Sequence, residues 1–297
     1  MFTFKIPEKS IETVSGTNYS HSCMQGRRPS MEDAYAFHSF LSYQCYAIFD
    51  GHGGSAVSQE LSNRFFKVFE MYARRQMNSH FNESQKVSDL VNCIKESVTY
   101  MDKWMDVNLE NVFSCGSTCV ACIIDKSIRK LYLINLGDSR GVLIEDGIFK
   151  FSSEDHKPGS NSKEFKRIKE AGGNVQNNRV QGLLAVSKSF GDYYLKDHTF
   201  VSKKESHLKF NPKQSQLISN DPDIFIIDLA VFDPTKIYYL CLACDGFFDV
   251  CGNSNLAEMV DKLVADGDEL ETITEKLVAW AFQNNSTDNI SLMLIEL

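Results

Sequence analysis

Short apolar runs alternate along the chain with stretches of helical periodicity. Apolar residues at three- and four-residue spacing predict two helices, over 57–72 and 87–105, and further helices are predicted at 162–171 and within 256–282. Residues 174–223 lack a pattern and are interpreted as a surface loop or flap. With no repeat or linker in the pattern, one domain is predicted. The apolar runs predict strands over residues 19–24, 34–40, 43–49, 117–124, 130–136, 141–145, 237–243 and 290–296.

Aspartates lie at the ends of these predicted strands. Asp50, Asp138 and Asp245 each follow an apolar run, and Asp288 lies just ahead of the last one. A side chain at a strand end is held by a rigid element and points into the loop layer, where ligands bind. Because the strands are far apart in sequence, we expect a cation site that the whole fold assembles.

The pairing of the two strands in the predicted hairpin at 34–49 indicates which acids of this site lie opposite each other. A two-residue turn at Leu41-Ser42 pairs residues whose numbers sum to 83, so Asp33 would lie opposite Asp50 with Glu32 beside them. Acids that face each other across a ladder repel by up to ~1 kcal/mol, a cost that a cation between them removes.

The last two strands repeat the arrangement. If they pair antiparallel, Asp245 and Asp288 share one edge of the sheet. Four acids at one edge indicate a hard cation with oxygen ligands.

Composition narrows the function classes. The 297 residues carry a net charge of −8 with a pI near 5.4, which argues against a nucleic-acid partner. No apolar stretch approaches the ~20 residues that span a bilayer, so no membrane association is expected. The start MFTFKIPEKS lacks an apolar signal region, and Phe2 does not fit the myristoylation pattern. We therefore expect a cytoplasmic or nuclear protein, with a monomer as the default.

Two cysteine pairs have the spacing of half zinc sites. They are Cys119-x-x-Cys122 and Cys241-x-x-Cys244, and both lie in predicted strands. Residues i and i+3 of a strand face opposite sides of the sheet, so neither pair chelates one ion easily. Buried reduced thiols are the favoured interpretation over zinc.

Nine motifs, in order, resemble those of the metal-dependent Ser/Thr protein phosphatases of type 2C. The resemblance runs from about residue 18 to the end, so 18–297 is interpreted as the catalytic domain and 1–17 as a short N-terminal extension. It implies an α+β fold, a four-layer αββα sandwich of two antiparallel sheets flanked by antiparallel helices. The motifs are MQGRRPSMEDA (24–34), FDGHGG (49–54), CGSTCV (115–120), LGDSRGVL (136–143), EDHKP (154–158), RIKEAGGNV (167–175), RVQGLLAVSKSFGD (179–192), ACDGFFDV (243–250) and STDNISLMLIEL (286–297).

The same resemblance implies a site for two Mn²⁺ or Mg²⁺ ions. Asp50 would bridge the ions, the backbone carbonyl of Gly51 would bind one of them, and Asp245 and Asp288 would complete the second ion's ligands. An all-oxygen site with water ligands suits Mg²⁺ or Mn²⁺ better than zinc.

Further acids surround this predicted centre. By the resemblance, Glu32 and Asp33 hold metal-bound waters. Asp138 and Asp249 match acids associated with a weaker third metal, although the turn at Asp138 also has structural value.

Two basic residues are expected to act on the substrate. Arg28 corresponds to the arginine that grips the phosphate, and a planar guanidinium can pair two phosphate oxygens at once. His52 corresponds to the proposed general acid, since an imidazole titrates near neutrality. His156 is interpreted as a structural turn residue.

The resemblance implies an enzyme that hydrolyses phosphoserine and phosphothreonine on phosphoprotein substrates. The predicted reaction is direct attack of a metal-activated bridging water, without a phosphoenzyme. The alternative is a pseudophosphatase, a binding module that keeps the fold without turnover. A calcium-binding protein is a weaker alternative, because the acids are dispersed and no EF-hand loop is present.

Three departures from the family pattern bear on specificity. Lys188 stands where the family usually has arginine, and Arg27 where an aromatic residue is common. The stretch 193–220 is longer than usual, so substrate access beside it is expected to be particular to this protein.

Overall fold

The computed structural model describes residues 10–76, 82–110, 112–196 and 217–297. The helices, numbered in chain order, are α1 (Ala56–Gln76), α2 (Glu83–Asn108), α3 (Ser162–Glu170), α4 (Tyr193–Lys196), α5 (Asp245–Phe248), α6 (Asn253–Ala265) and α7 (Leu270–Gln283). The strands are β1 (Glu12–Ser15), β2 (Tyr19–Met24), β3 (Ala34–Phe40), β4 (Tyr43–Phe49), β5 (Gly51–His52), β6 (Gly116–Ser117), β7 (Cys119–Asp125), β8 (Lys130–Leu136), β9 (Arg140–Glu145), β10 (Ile148–Ser152), β11 (Val175–Gln176), β12 (Arg179–Val180), β13 (Phe190–Gly191), β14 (Asp223–Asp228), β15 (Tyr238–Ala243) and β16 (Ile290–Glu296).

Two antiparallel sheets pack face to face and carry helices on their outer faces, as the predicted αββα sandwich requires. One sheet has the order β14-β8-β7-β4-β3, and the other has the order β1-β2-β16-β15-β9-β10. Helices α1 and α2 cover the first sheet, and α5, α6 and α7 cover the second. None of the described helices is both long and apolar enough to cross a bilayer.

Alternation along the strands explains the layering. In β7, Cys119 faces the core under α1 and α2, whereas Val120 and Cys122 face the core between the sheets. Both faces are buried, so the strand is apolar throughout. The two cysteines therefore lie on opposite sides of the sheet, as the spacing argument predicts, and all nine cysteines of the chain are buried and unpaired.

The predicted registers are confirmed. Ala34 pairs with Phe49 and Phe40 with Tyr43, both sums being 83. β15 and β16 pair antiparallel, so the end of β15 meets the start of β16.

Several elements were not predicted. β1, within the predicted N-terminal extension, β10 and β14 are sheet-edge strands, and α4 and α5 are single turns too short for a helical period. The predicted loop at 174–223 contains the small hairpin of β11 and β12. Residues 197–216 of the predicted long stretch, and residues 1–9, lie outside the described residues.

The sandwich has two ends with different roles. At one end, here called the acidic edge, lie Asp33, Asp50, Asp138, Asp245 and Asp288, each within two residues of a strand end. At the other, here called the distal edge, lie the start of β8 and the ends of β7, β9 and β14.

Candidate metal centre

The acidic edge gathers carboxylates from both sheets. Asp33 precedes β3 and Asp50 follows β4, and ligand atoms of these two residues and of Cys244 all lie within 4.8 Å of one another. Burial raises the pKa of the Cys244 thiol well above its ordinary value, so it stays protonated and is a poor ligand for a hard cation. Oxygen is therefore the donor type that this group offers.

The buried carboxylates repel one another. Burial raises the pKa of Asp50 well above its ordinary value, and the charges of Asp33, Asp245, Asp138 and Asp288 raise it further. Burial also raises the pKa of Asp245 well above its ordinary value, and among the neighbouring charges Asp138 raises it most. Such a group of carboxylates suits a divalent cation, because the positive charge offsets both the cost of burying anionic groups and their mutual repulsion.

A hydrogen bond within the protein partly stabilises the ionised form of Asp33. Burial raises its pKa to about 6, while a hydrogen bond from Ser291 Oγ at 2.7 Å acts in the opposite direction. Asp138 also has a pKa raised to about 6, chiefly by burial, although the Lys157 ammonium 3.8 Å away lowers it. Lys157 also contacts Asp249, at 3.1 Å, and the Asp249 side chain is largely exposed.

Asn289 joins the loops of the acidic edge. Its Oδ1 accepts a hydrogen bond from the Glu32 backbone N–H at 2.9 Å, and its Nδ2 donates to the carbonyls of Gln25 and Ser30 at 2.8 and 2.9 Å. The carbonyl of Asn289 lies where a Cβ at Gly246 would be, 1.9 Å from it, so glycine lets the Asp245 and Asp288 segments pack closely. Sequence reasoning assigned Asn289 no role.

The glycine-rich turn after β4 is tied to the Glu32 segment. The Ser58 hydroxyl on α1 donates to the Glu32 backbone carbonyl, and the Gly54 N–H donates to Glu32 Oε2 at 3.3 Å. Gly51 and His52 form the short strand β5, which pairs with β6. These bonds fix the backbone whose Gly51 carbonyl is a predicted ligand.

Arg28 reaches the acidic edge from the loop after β2. Its Nε and Nη2 donate to Asp288 Oδ1 and Oδ2 at 2.6 and 2.8 Å, and 53% of its side chain is exposed. The guanidinium thus makes a bidentate contact, the geometry that matches a carboxylate or a phosphate. Asp288 and Arg28, two predicted site residues, are in direct contact.

His52 pairs with a residue that the sequence did not single out. Its Nε2 lies 2.7 Å from Asp192 Oδ2, and Asp192 is fully buried. Burial alone lowers the pKa of His52, but the adjacent Asp192 carboxylate outweighs burial and holds the pKa above its ordinary value. The two residues are 140 positions apart, so no local pattern predicts their contact.

Comparison with known proteins decides the family. The sequence model described as Protein phosphatase 2C matches residues 17–290. The chain belongs to the protein phosphatase 2C family. Protein phosphatase 1B of Bos taurus and of Homo sapiens are each 34% identical to it, over 95% of this chain and 57% of the relative. The chain thus spans 57% of the length of these relatives; for protein phosphatase 1B of Rattus norvegicus, also 34% identical, the share is 70%.

Solved structures agree with this assignment. A phosphatase from a pathogenic strain of Toxoplasma gondii is 25% identical, with a TM-score of 0.76 over 96% of this chain and 94% of that one. A sex determining protein of C. elegans shares the fold at 24% identity, with a TM-score of 0.75 over 96% of this chain and 66% of that one.

The departures from the phosphatase 2C pattern have structural explanations here. Lys188 is 8% exposed, and its Nζ donates to Asp223 Oδ1 at 2.7 Å, so it joins the flap segment to β14. Arg27 donates to the carbonyls of Phe282 and Ser286, and its guanidinium lies 4.4 Å from the Phe282 ring centre. Arg27 thus anchors this loop to the end of α7.

His156 is a buried structural residue in this phosphatase 2C chain. Its Nδ1 accepts from the Gly137 backbone N–H at 3.1 Å, which leaves its Nε2 facing Asp223 Oδ2 at 3.4 Å. The contact supports the turn that carries Asp138. This placement agrees with the structural interpretation of the sequence.

Proposed function

We propose that this protein is a Mn²⁺- or Mg²⁺-dependent phosphatase that removes phosphate from phosphoserine and phosphothreonine of proteins. The observation that carries the proposal is the set of buried, mutually repelling carboxylates at the acidic edge, with the two-pronged Arg28 beside it. Membership of the phosphatase 2C family and the names of the curated relatives support a protein substrate.

The residues present suit two divalent ions. Asp50, the Gly51 carbonyl, Asp245 and Asp288 would hold them. Glu32 and Asp33 would bind their water ligands, and the buried Asp138 with the exposed Asp249 would serve a weaker third ion. When bound, the ions would supply Lewis acidity that lowers the pKa of a water between them and neutralises phosphoryl charge.

The remaining tasks fall to this chain's own side chains. Arg28 would bind and orient the phosphate through two parallel N–H bonds, the geometry that it already shows with Asp288. His52 would hold the proton that the departing Ser or Thr oxygen takes up. Water would attack the phosphorus directly, since phosphoryl transfer needs positioning and charge stabilisation more than a protein nucleophile.

The test is phosphate release from a phosphothreonine peptide. We expect turnover by the wild type with Mn²⁺, none with chelator, and a loss of at least about 10³-fold in kcat/KM for Asp245→Asn, because several kcal/mol of transition-state stabilisation disappear. The matched control is Asp266→Asn, an exposed acid just beyond α6, which should leave kcat/KM unchanged.

The alternative is a pseudophosphatase that uses the same fold as a binding module. It predicts folded wild-type protein without turnover at saturating Mn²⁺. That result would refute the enzyme proposal.

A further inference from the structure

A small third sheet brings His52 and Asp192 together. Its order is β13-β6-β5, so the central strand β6 lies between the strand that carries His52 and the strand that precedes Asp192. Gly116 of β6 is opposite His52 on one side and opposite Gly191 on the other. The backbone N–H of Asp192 donates to the Cys115 carbonyl at 2.9 Å, which extends this sheet by one bond.

Gly116 leaves the space in which the two side chains meet. A Cβ at this position would lie 2.2 Å from Asp192 Oδ2 and 2.4 Å from His52 Nε2, closer than any side-chain carbon approaches such atoms. Any residue other than glycine would therefore separate the pair.

Hydrogen bonds to the Asp192 carboxylate and to the residues around it hold this segment in place. Ser189 Oγ donates to Asp192 Oδ2 at 2.6 Å. On either side of Asp192 in the chain, the Gly191 N–H donates to Asp102 Oδ1 at 2.9 Å and the Tyr193 hydroxyl donates to the Asp102 carbonyl at 2.7 Å. Lys196 closes the network, with its Nζ 2.8 Å from Asp102 Oδ2 and 2.9 Å from the Ser189 carbonyl.

Exposure separates the roles of the two partners. The Asp192 side chain has no exposed surface, whereas 27% of the His52 side chain is exposed. Only His52 can touch a substrate, so any effect of Asp192 on the reaction passes through the histidine.

We propose that Asp192 is the positioning residue of His52, and that Gly116 is glycine because this contact requires it. The inference rests on the proposed function. With Nε2 engaged by Asp192, Nδ1 is the nitrogen that gives up the proton. The P–O bond breaks, its electron pair goes to the departing oxygen, and that oxygen takes the Nδ1 proton. Water supplies the oxygen that ends on the phosphate; one of its protons stays on the phosphate and the other restores the proton of the imidazole.

The leaving group provides the test, because proton donation matters most when the leaving oxygen is a strong base. Asp192→Asn should lower kcat/KM for the phosphothreonine peptide by about 10- to 100-fold, and that for p-nitrophenyl phosphate by less than about threefold. Gly116→Ala should give the same pattern with the carboxylate intact. The control is Asp125→Asn, which removes a buried carboxylate at the distal edge and should not distinguish the two substrates.

A double-variant cycle shows whether Asp192 acts through His52. Adding Asp192→Asn to His52→Gln should cause no further loss for the peptide, because the histidine that it positions is gone. Circular dichroism and urea midpoints verify folding, and Gly116→Ala with Ser189→Ala replaces Asp192→Asn if that variant does not fold.

Three results would overturn the inference while the proposed function stands: equal losses for both substrates, additive losses in the cycle, or an unaffected Gly116→Ala. Wild-type protein that hydrolyses neither substrate with Mn²⁺ would refute the proposed function itself.

Discussion

Both edges of the sandwich carry acids at strand ends, but the charges that surround these acids differ between the two edges. At the distal edge, Asp125 at the end of β7 lies 2.6 Å from Lys86 Nζ, and Asp228 at the end of β14 lies 2.8 Å from Lys130 Nζ. Burial raises the pKa of Asp125, but Lys86 and Ser127 outweigh burial and hold it below its ordinary value. At the acidic edge, burial raises the pKa of Asp50 and of Asp245 well above the ordinary value, and neighbouring carboxylates raise both further.

This difference separates a structural end from a binding end. An acid with a lysine partner is already neutralised by the chain, and it contributes to stability. Acids that repel one another lower the stability of the chain alone, and a bound cation reverses the balance. Residue type and strand-end position are the same at both edges, so the surrounding charges make the distinction.

After the loss already expected for Asp245→Asn, the largest effect concerns the two neighbouring arginines. Arg28→Lys should lower kcat/KM for the phosphothreonine peptide by about 10- to 100-fold, because one of two charged hydrogen bonds is lost. Arg27→Lys, the matched control, should change kcat/KM by less than about threefold, since Arg27 contacts the end of α7. Equal losses in both variants would mean that Arg28 has no special contact with phosphate.

The next effect is on stability and has opposite signs at the two edges. Asp125→Asn should lower the free energy of unfolding by about 2–4 kcal/mol, because it leaves the half-buried Lys86 without its anionic partner. With chelator, Asp245→Asn should raise the free energy of unfolding by roughly 1 kcal/mol, because it removes a repelled charge.

Urea titrations with and without Mn²⁺ measure both values. Mn²⁺ should stabilise the wild type and not Asp245→Asn. Destabilisation by Asp245→Asn in chelator would contradict the proposed difference between the edges.

The pH dependence should also differ between the edges. The pKa of Asp138 is about 6 in the fold against 3.8 ordinarily, so between these values the folded state holds a proton that the unfolded state has released. Its contribution to stability therefore falls as pH rises from 4 to 6, by up to about 1.4 kcal/mol per pH unit.

The measurement is the stability difference between the wild type and Asp138→Asn, in chelator, at several pH values. For Asp125, whose pKa is lowered, the corresponding difference should be constant over this range and change only as pH falls below 3.8. Parallel profiles for the two variants would show that their environments are not distinct.

The smallest effect is expected at Lys188. Because its ammonium pairs with Asp223, Lys188→Arg should change kcat/KM by less than about threefold. A larger gain for the phosphopeptide would indicate that the residue contacts substrate.

Strand bounds and the pairing of adjacent strands were predicted best from the sequence, because they depend on local patterns of residues. The strands at 43–49 and 290–296 were predicted with the observed bounds, because their largely apolar runs end sharply at polar residues. The register of β3 and β4 followed from the length of one turn, and it predicted correctly that Asp33 and Asp50 approach each other.

Two long-range hydrogen bonds at the site were not predicted from the sequence. Nothing near Asp192 indicates His52, and nothing near Asn289 indicates Glu32, because each contact joins segments more than 100 residues apart. The edge strand β10 was also missed, since its exposed positions and irregular register weaken the alternation that marks a strand.

The turn at Leu41-Ser42 has a consequence for engineering. It lies at the distal edge, seven residues or roughly 23 Å of strand from Asp33 and Asp50, yet its length, together with the buried pattern of the strands, sets which residue of β3 faces which residue of β4. An insertion there that shifted the pairing by one residue would turn every side chain of one strand to the opposite face, with Asp33 displaced from Asp50. An epitope tag or a permuted chain end, usually harmless in an exposed surface turn, would at this position act on chemistry at the other end of the molecule.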